Sequence, residues 1–354
     1  MLLVIFGAGA SYDSDPAQPP GTHHAVPWRP PLANELFSRQ EFRRLFPTFP
    51  RMHPLIPRLA GASDRRPLER MLKEIEDEAL NYSARASELA AIRYYLQSLI
   101  WESEQAWVGQ TQGVTNYLAL LDRIHLWAHG KPDVVFVTFN YDRLFEIASS
   151  HYFSGGKSGL GNRYKTLESY IDGSMLQLIK PHGSIDWGYR VMGGLPRIPL
   201  HNWDYAHLAT EHFASLQLAD VVEKTEKHPP EPKENGGFVP AIAIPVDEKS
   251  TFVCPDAHMQ HLRRRLREVT HVLSIGWRGM EQHFLNLLAE ELPMKARAMA
   301  VANNRAGSED TLSRIKGPQN AVVHPTTFDG GFSQFVVSVE CDQFLARAVG
   351  PGTR

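Results

Sequence analysis

The chain of 354 residues holds only two cysteines, Cys254 and Cys341. Two thiols cannot build a disulfide framework or a four-thiolate zinc module, which fits a reducing compartment. Long apolar runs are missing as well. The first apolar stretch ends after five residues, so neither a membrane-spanning helix nor a signal peptide is expected, and the reading is cytoplasmic. Charge of one sign is also scarce, with a formal net charge of -2. That near balance gives no electrostatic reason to expect direct binding of nucleic acid. With 43% hydrophobic and 21% charged residues the composition is that of an ordinary globular protein large enough for two or three structural units.

What is present begins at the first residues, MLLVIFGAGAS. Leu2 to Phe6 read as a buried parallel strand that runs into the glycine turn Gly7-Ala8-Gly9-Ala10-Ser11 and then towards a helix. Such a turn brings backbone N–H groups close to a phosphate. The dinucleotide fingerprint is incomplete, because Tyr12 stands where a third small residue belongs. Six prolines between Pro16 and Pro31, with the pair His23-His24 among them, predict a long loop beside this turn. Apolar residues at helical spacing then recur from Leu32 to Leu99, which predicts a helical block inserted at residues 32–130.

A second buried strand, Asp133 to Thr138, leads into Phe139-Asn140-Tyr141-Asp142, and a third, Leu176 to Ile179, leads into Lys180-Pro181-His182-Gly183-Ser184. Residues 190–240 read as an irregular surface insertion. Beyond them, strands are expected at Ala241 to Ile244, at Val272 to Ile275 ending in Gly276-Trp277, at Ala298 to Ala302 ending in Asn303-Asn304, and at Ala321 to His324. A helix is expected from His258 to Val269 and another from about Gly331 to Ala348. This rhythm predicts an α/β fold with a doubly wound, Rossmann-like, mainly parallel sheet made from residues 1–31 and 131–354. Polar residues at the carboxyl ends of such strands are where open α/β sheets bind ligands. Asn140 has an amide that can hold a water or hydroxyl, and His182 is a side chain suited to base work near neutral pH. Each motif alone also fits a plainer reading, with Asn140 and Asp142 capping the next helix and His182 a turn histidine.

The ordered set GAGAS at 7–11, TFNYD at 138–142, KPHGS at 180–184 and SIGW at 274–277, with RPPLANELF at 29–37, resembles the sirtuin-like superfamily and above all its NAD-hydrolysing branch in bacterial anti-phage defence. The resemblance implies an NAD+ site in which Gly7, Ala8, Gly9 and Ser11 hold phosphates, and Asn140 and Asp142 face the nicotinamide ribose. It implies that His182 is the catalytic base and that Ser274, Gly276 and Asn303 reach the adenosine end. Deacylating sirtuins carry a four-cysteine zinc module and other residues on either side of the asparagine, where this chain has Phe139 and Tyr141. The expected activity is therefore NAD+ glycohydrolysis by a depleting defence effector without zinc. It is expected to act as a homo-oligomer or with a partner such as a HerA-type ATPase or a short Argonaute. The alternatives are a non-catalytic NAD or ADP-ribose sensor and an NAD-dependent protein deacylase.

Three further patterns are weaker. Cys254, His258 and His261 have a spacing that could suit a metal. Gly156-Lys157-Ser158 lacks the first glycine of a phosphate-binding P-loop. Arg263, Arg264, Arg265 and Arg267 form a basic run on a predicted helix, readable as a solvated face or as a partner contact.

Overall fold

A computed structural model describes residues 1–21, 26–63, 66–129, 133–154, 164–172, 176–195, 202–225, 237–244, 252–293, 295–317 and 322–350. His23, His24, Gly156-Lys157-Ser158 and much of the polar stretch 223–237 lie outside them. In chain order the strands are β1 (Leu2–Phe6), β2 (Val134–Thr138), β3 (Gln177–Ile179), β4 (Gly183–Gly193), β5 (Gln217–Lys224), β6 (Phe238–Ile242), β7 (His271–Ile275), β8 (Ala296–Val301) and β9 (Val322–Phe328). The helices are α1 (Ala8–Tyr12), α2 (Ile56–Ala60), α3 (Leu68–Ala79), α4 (Ser83–Thr111), α5 (Asn116–Trp127), α6 (Leu144–Ser154), α7 (Asn202–Glu211), α8 (Asp256–Leu266), α9 (Gln282–Glu291), α10 (Arg305–Lys316), α11 (Gly331–Phe335) and α12 (Val339–Val349). Among the described residues no helix is long and apolar enough to cross a membrane.

The chain divides into two compact units, the first formed by Met1–Val26, Trp107–Pro181 and Asp256–Arg354, the second by Pro27–Ala106 and His182–Pro255. The first unit holds a six-stranded sheet in the order β3-β2-β1-β7-β8-β9, with every pairing parallel. The chain therefore builds outward from β1 on one side, returns to pair β7 against β1, and builds outward again. That is the doubly wound, Rossmann-like order, with its switch point between β1 and β7. The apolar runs explain the placement: every residue of β1, β2 and β7 is buried, as central parallel strands require.

The strand ends are level. Phe6 pairs with Thr138 on one side and Ile275 on the other. Beyond them Phe139 N–H bonds Phe6 O, Gly7 N–H bonds Ile275 O, and Gly276 N–H bonds Val301 O. Residues 7, 139 and 276 thus stand side by side at the carboxyl rim of the sheet. The outermost strand β9 is longer than the expected 321–324, is largely exposed beyond Val322, and carries Pro325 with a register irregularity opposite Arg297 and Met299. One expected C-terminal helix is two, α11 and α12, separated by a turn capped by Ser338.

The second unit contains α2, α3, most of α4, α7 and an antiparallel sheet in the order β5-β4-β6. Residues 190–240, expected to be irregular, thus hold α7, β5 and parts of β4 and β6; the half-exposed β5 lacks the unbroken apolar run by which buried strands are recognised. Ala241 and Ile242 belong to this sheet and not to the parallel one. The helical block expected at 32–130 divides, with Trp107 onward in the first unit. Its opening residues form 3-10 turns at Gln40–Thr48 and Pro50–Leu55, where Pro47, Pro50 and Pro54 prevent a continuous α-helix. In α4, Tyr94 OH donates to Phe238 O at 2.8 Å and the Gln97 amide to Ile185 O at 2.7 Å, which satisfies buried polar groups.

Candidate functional site

The glycine turn is shaped by backbone contact with the end of β7. Gly9 N–H donates to Gly276 O at 3.0 Å. A Cβ on Gly7 would lie 2.6 Å from Gly276 O, and one on Gly9 2.9 Å from the Gly276 Cα. Gly276 has φ +60°, and a Cβ there would sit 2.2 Å from the Ala10 nitrogen. Gly7, Gly9 and Gly276 are therefore small because three backbone segments meet there, whereas the sequence reading gave the space beside Gly9 to phosphate. Only Ala8 of the expected phosphate group is exposed. Ser11 is 2% exposed, and its hydroxyl is turned inward to Tyr117.

Asn140, just past β2, is 6% exposed. Its Nδ2 donates to Gly7 O at 3.0 Å and Ser11 Oγ at 2.9 Å and lies 3.3 Å from Tyr117 OH. Because a carbonyl can only accept, Gly7 O fixes which way round the amide sits. Asn140 Oδ1 takes no hydrogen bond from the described residues. The first unit thus gathers Gly7, Ser11 and Asn140 with Tyr117 from α5, and places Gly276 across the glycine turn. Tyr117 OH and Ser11 Oγ are 2.9 Å apart, and burial raises the phenol well above its usual range. The Tyr117 ring packs edge-on against Phe6, Phe145 and Phe332, with centroids 4.9, 6.1 and 5.4 Å away.

Asp142 Oδ1 accepts from Leu144 N–H at 3.1 Å at the start of α6, so the helix-capping reading of this residue describes its local geometry. Its carbonyl accepts from Lys180 Nζ at 2.5 Å. Lys180 is fully buried and pairs with Glu146 at 2.8 Å, while Tyr170 OH also reaches Glu146 at 3.3 Å. Lys180 thus ties the end of β3 both to the loop after β2, through Asp142 O, and to α6, through Glu146. His182 opens the second unit, is 7% exposed, and accepts at its carbonyl from Ala243 N–H at 2.9 Å. The next residue, Gly183, has φ +79° and would place a Cβ 1.9 Å from Ala241 O.

The residues expected at the adenosine end separate. Ser274 lies within β7, paired with Ile5 and Ala300, and is 1% exposed, with its hydroxyl enclosed and without a hydrogen bond among the described residues. Gly276 is at the rim. Asn303 is exposed beyond β8, with Oδ1 only 2.3 Å from where a Gly331 Cβ would stand. Phe139 stacks on Trp277 with centroids 5.4 Å apart and meets Phe284 edge-on at 5.0 Å, so it packs between strand ends.

Sequence reasoning missed Tyr117, Lys180 and Glu146. Tyr117 belongs to no motif in the sequence; its ring packs among phenylalanines while its hydroxyl meets Ser11 and Asn140. Lys180 gave a signal in retrospect, a cation directly after a strand buried on both faces. It also missed Asp13, whose carboxylate caps α11 by accepting from Phe332 N–H at 2.6 Å and Ser333 N–H at 3.1 Å. Among the described residues no three His, Cys, Asp or Glu side chains gather as metal ligands; His258 Nε2 bonds Leu167 O at 2.8 Å. Three arginines of the basic run are paired with acidic residues, Arg263 with Glu290 and Glu291, Arg265 with Asp133 and Glu268, and Arg267 with Glu291.

No protein-family model matches the chain, and no curated protein matches it. Among solved structures it is similar to a Sir2 homologue in complex with NAD, at 13% identity over 98% of this chain and 88% of the other, with a TM-score of 0.40. A mutant Sir2 homologue in complex with ADP ribose is 12% identical over 98% of this chain and 91% of its own, with a TM-score of 0.42. A Sir2 mutant with a deacetylated p53 peptide and 3'-O-acetyl ADP ribose is 11% identical over 95% and 91%, with a TM-score of 0.37. The doubly wound fold is defined by this chain's own strand order, 3-2-1 then outward from the switch point.

Proposed function

We propose that the chain is an NAD+ glycohydrolase that cleaves the bond between nicotinamide and ribose to give nicotinamide and ADP-ribose. One observation carries this reading. At the carboxyl rim of a doubly wound sheet, one strand from its switch point, the Asn140 amide is held by Gly7, Ser11 and Tyr117 so that Oδ1 is left as an acceptor. Nicotinamide leaves as a neutral molecule from an oxocarbenium-like transition state, so no acid is required. What is required is a positioned water and a base. Asn140 holds the water or a ribose hydroxyl through Oδ1, His182 takes the proton as water oxygen bonds to the ribose carbon, and Asp142 faces the same ribose. Ala8, with the backbone of Gly7 and Gly9, borders the pyrophosphate, and Gly276 and Asn303 serve the adenosine half; Ser11 and Ser274 are buried and act from behind the site. In this reading NAD+ is the substrate and no zinc is used.

Unregulated hydrolysis would exhaust the cell's cofactor. The proposed setting is therefore a cytoplasmic anti-phage effector, switched by homo-oligomerisation or by a partner such as a HerA-type ATPase or short Argonaute. The test is nicotinamide release from NAD+ by the purified protein over a range of protein concentrations, beside His182→Ala. Release that depends on His182 supports the glycohydrolase, and a steep concentration dependence supports control by assembly. Saturable binding of NAD+ that is never consumed, with partner present, would replace this reading with a sensor. Release only with an acylated peptide would replace it with a deacylase.

A further inference from the structure

Tyr117 belongs to none of the motifs that mark the site, yet its hydroxyl is the group on which two of the site's polar atoms converge. Ser11 Oγ is 2.9 Å from it and Asn140 Nδ2 is 3.3 Å from it. All three residues are buried, Tyr117 at 1%, Ser11 at 2% and Asn140 at 6% exposure. A buried amide with an acceptor missing is costly, and it relieves that cost by moving. Gly7 O decides which end of the Asn140 amide faces inward. It cannot by itself fix where the amide plane lies, because a single hydrogen bond leaves rotation about the donor direction. Ser11 Oγ, 2.9 Å from Nδ2, takes the second amide proton, and Tyr117 OH, 2.9 Å from Ser11 Oγ and 3.3 Å from Nδ2, fixes where that oxygen sits. Ser11 Oγ thus accepts from Asn140, and one of the two hydroxyl protons lies between Ser11 and Tyr117.

The hydroxyl pair is in turn held from below. Ser14 Oγ donates to Ser11 O at 2.8 Å, and Trp107 Nε1 donates to Ser14 Oγ at 2.8 Å. Asn116, the neighbour of Tyr117 in α5, donates through its backbone to Ser14 O at 2.7 Å and through its side chain to Asp13 O at 2.7 Å. The start of α5 is therefore bonded at several points to the segment that follows the glycine turn. Phe6, Phe145 and Phe332 enclose the ring.

We infer that Tyr117 is a positioning residue, whose hydroxyl, acting with Ser11, orients the Asn140 amide so that Oδ1 faces the reacting ribose. This rests on the glycohydrolase reading for its consequence, but not for its geometry. The substitution Tyr117→Phe keeps the ring contacts and removes only the hydroxyl. Two measurements are paired on the whole protein. The first is the side-chain NH2 resonances of Asn140 in protein labelled with 15N-asparagine, assigned by their loss in Asn140→Ala. The second is kcat and KM for nicotinamide release from NAD+.

The expected result is a shifted, faster-exchanging Asn140 amide with kcat reduced about tenfold, KM within about twofold and a melting temperature lowered by only a few degrees. Ser11→Ala should reproduce the amide change, and it stands in for Tyr117→Phe if that variant fails to fold. An unmoved Asn140 amide overturns the inference, whatever happens to kcat. So does a changed amide with wild-type kcat. If the wild-type protein releases no nicotinamide under any condition, the glycohydrolase reading falls, and the amide measurement still decides whether Tyr117 orients Asn140.

Discussion

Gly9 donates its N–H to the carbonyl of Gly276 at 3.0 Å, joining the turn after β1 to the turn after β7 across the switch point. Neither residue has room for a side chain, since each Cβ would fall against the other's backbone. Gly276→Ala meets both this clash and the strain of φ +60°. It should lower stability by at least about 3 kcal/mol or prevent folding, as read by urea unfolding and soluble yield. Gly9→Val should fail in the same way, through the fold and before any ligand is involved. A Gly276→Ala protein with wild-type stability would mean that the two turns do not touch.

The buried Lys180–Glu146 pair predicts a strong asymmetry. Lys180→Met leaves the Glu146 carboxylate buried without its cation and should cost about 3–5 kcal/mol. The double variant Lys180→Met with Glu146→Leu removes the stranded charge and should recover most of that loss. A double-mutant cycle in urea measures it; single and double variants of equal stability would contradict the pairing.

His271, at the start of β7, is 7% exposed, and burial, with Arg297, the N-terminal amine and Arg347 nearby, pushes its imidazole down to about 4. The unfolded chain takes up a proton below about 6.5, whereas the native state resists it until about pH 4. Stability from this residue is thus complete above pH 6.5 and is lost progressively as pH falls towards 4, by roughly 3 kcal/mol. Melting temperature against pH should fall less steeply over that interval for His271→Gln. Parallel curves for the two proteins would exclude His271 as a source of acid sensitivity.

Catalytic substitutions should separate from these. Asn140→Ala should lower kcat about 10²–10³-fold and His182→Ala roughly 10²–10⁴-fold. The check is nicotinamide release under saturating NAD+, with circular dichroism to confirm folding. A folded His182→Ala protein with normal kcat would remove this residue as the base.

Cys341 is fully buried, and burial raises its thiol to about 12. In a Cys254→Ser background, maleimide should leave the native protein unmodified at pH 7.5 and label Cys341 fully in urea, as read by intact mass. Rapid native labelling would show that α12 opens locally.

The central strands were legible because a five-residue apolar run bounded by turn residues points to little besides a strand buried on both faces. β9 was partly hidden because an exposed edge strand carrying His324 and Pro325 does not alternate cleanly. The β4–β5 pair escaped for a related reason: β5 is half exposed, and part of its surroundings reads as polar loop. At the site, Asn140 could be singled out from its place after a buried strand. The role of Gly9 could not, since its partner Gly276 is remote in sequence. Nor could that of Tyr117, whose ring and hydroxyl serve different neighbours.

The position of β1 has a consequence for how the chain reaches this structure. Leu2 pairs with Val134 on one side and His271 on the other, so the most apolar strand has no sheet neighbour until distant segments arrive. Closing those long loops comes before the contacts that reward it, which makes formation of the sheet intrinsically slow. Leu2 to Phe6 gain their first partner only when residues 134–138 have been made, and their second edge stays open until residue 275. The nascent protein should therefore depend on chaperones that shield this strand, and overproduction should saturate them and drive it into inclusion bodies.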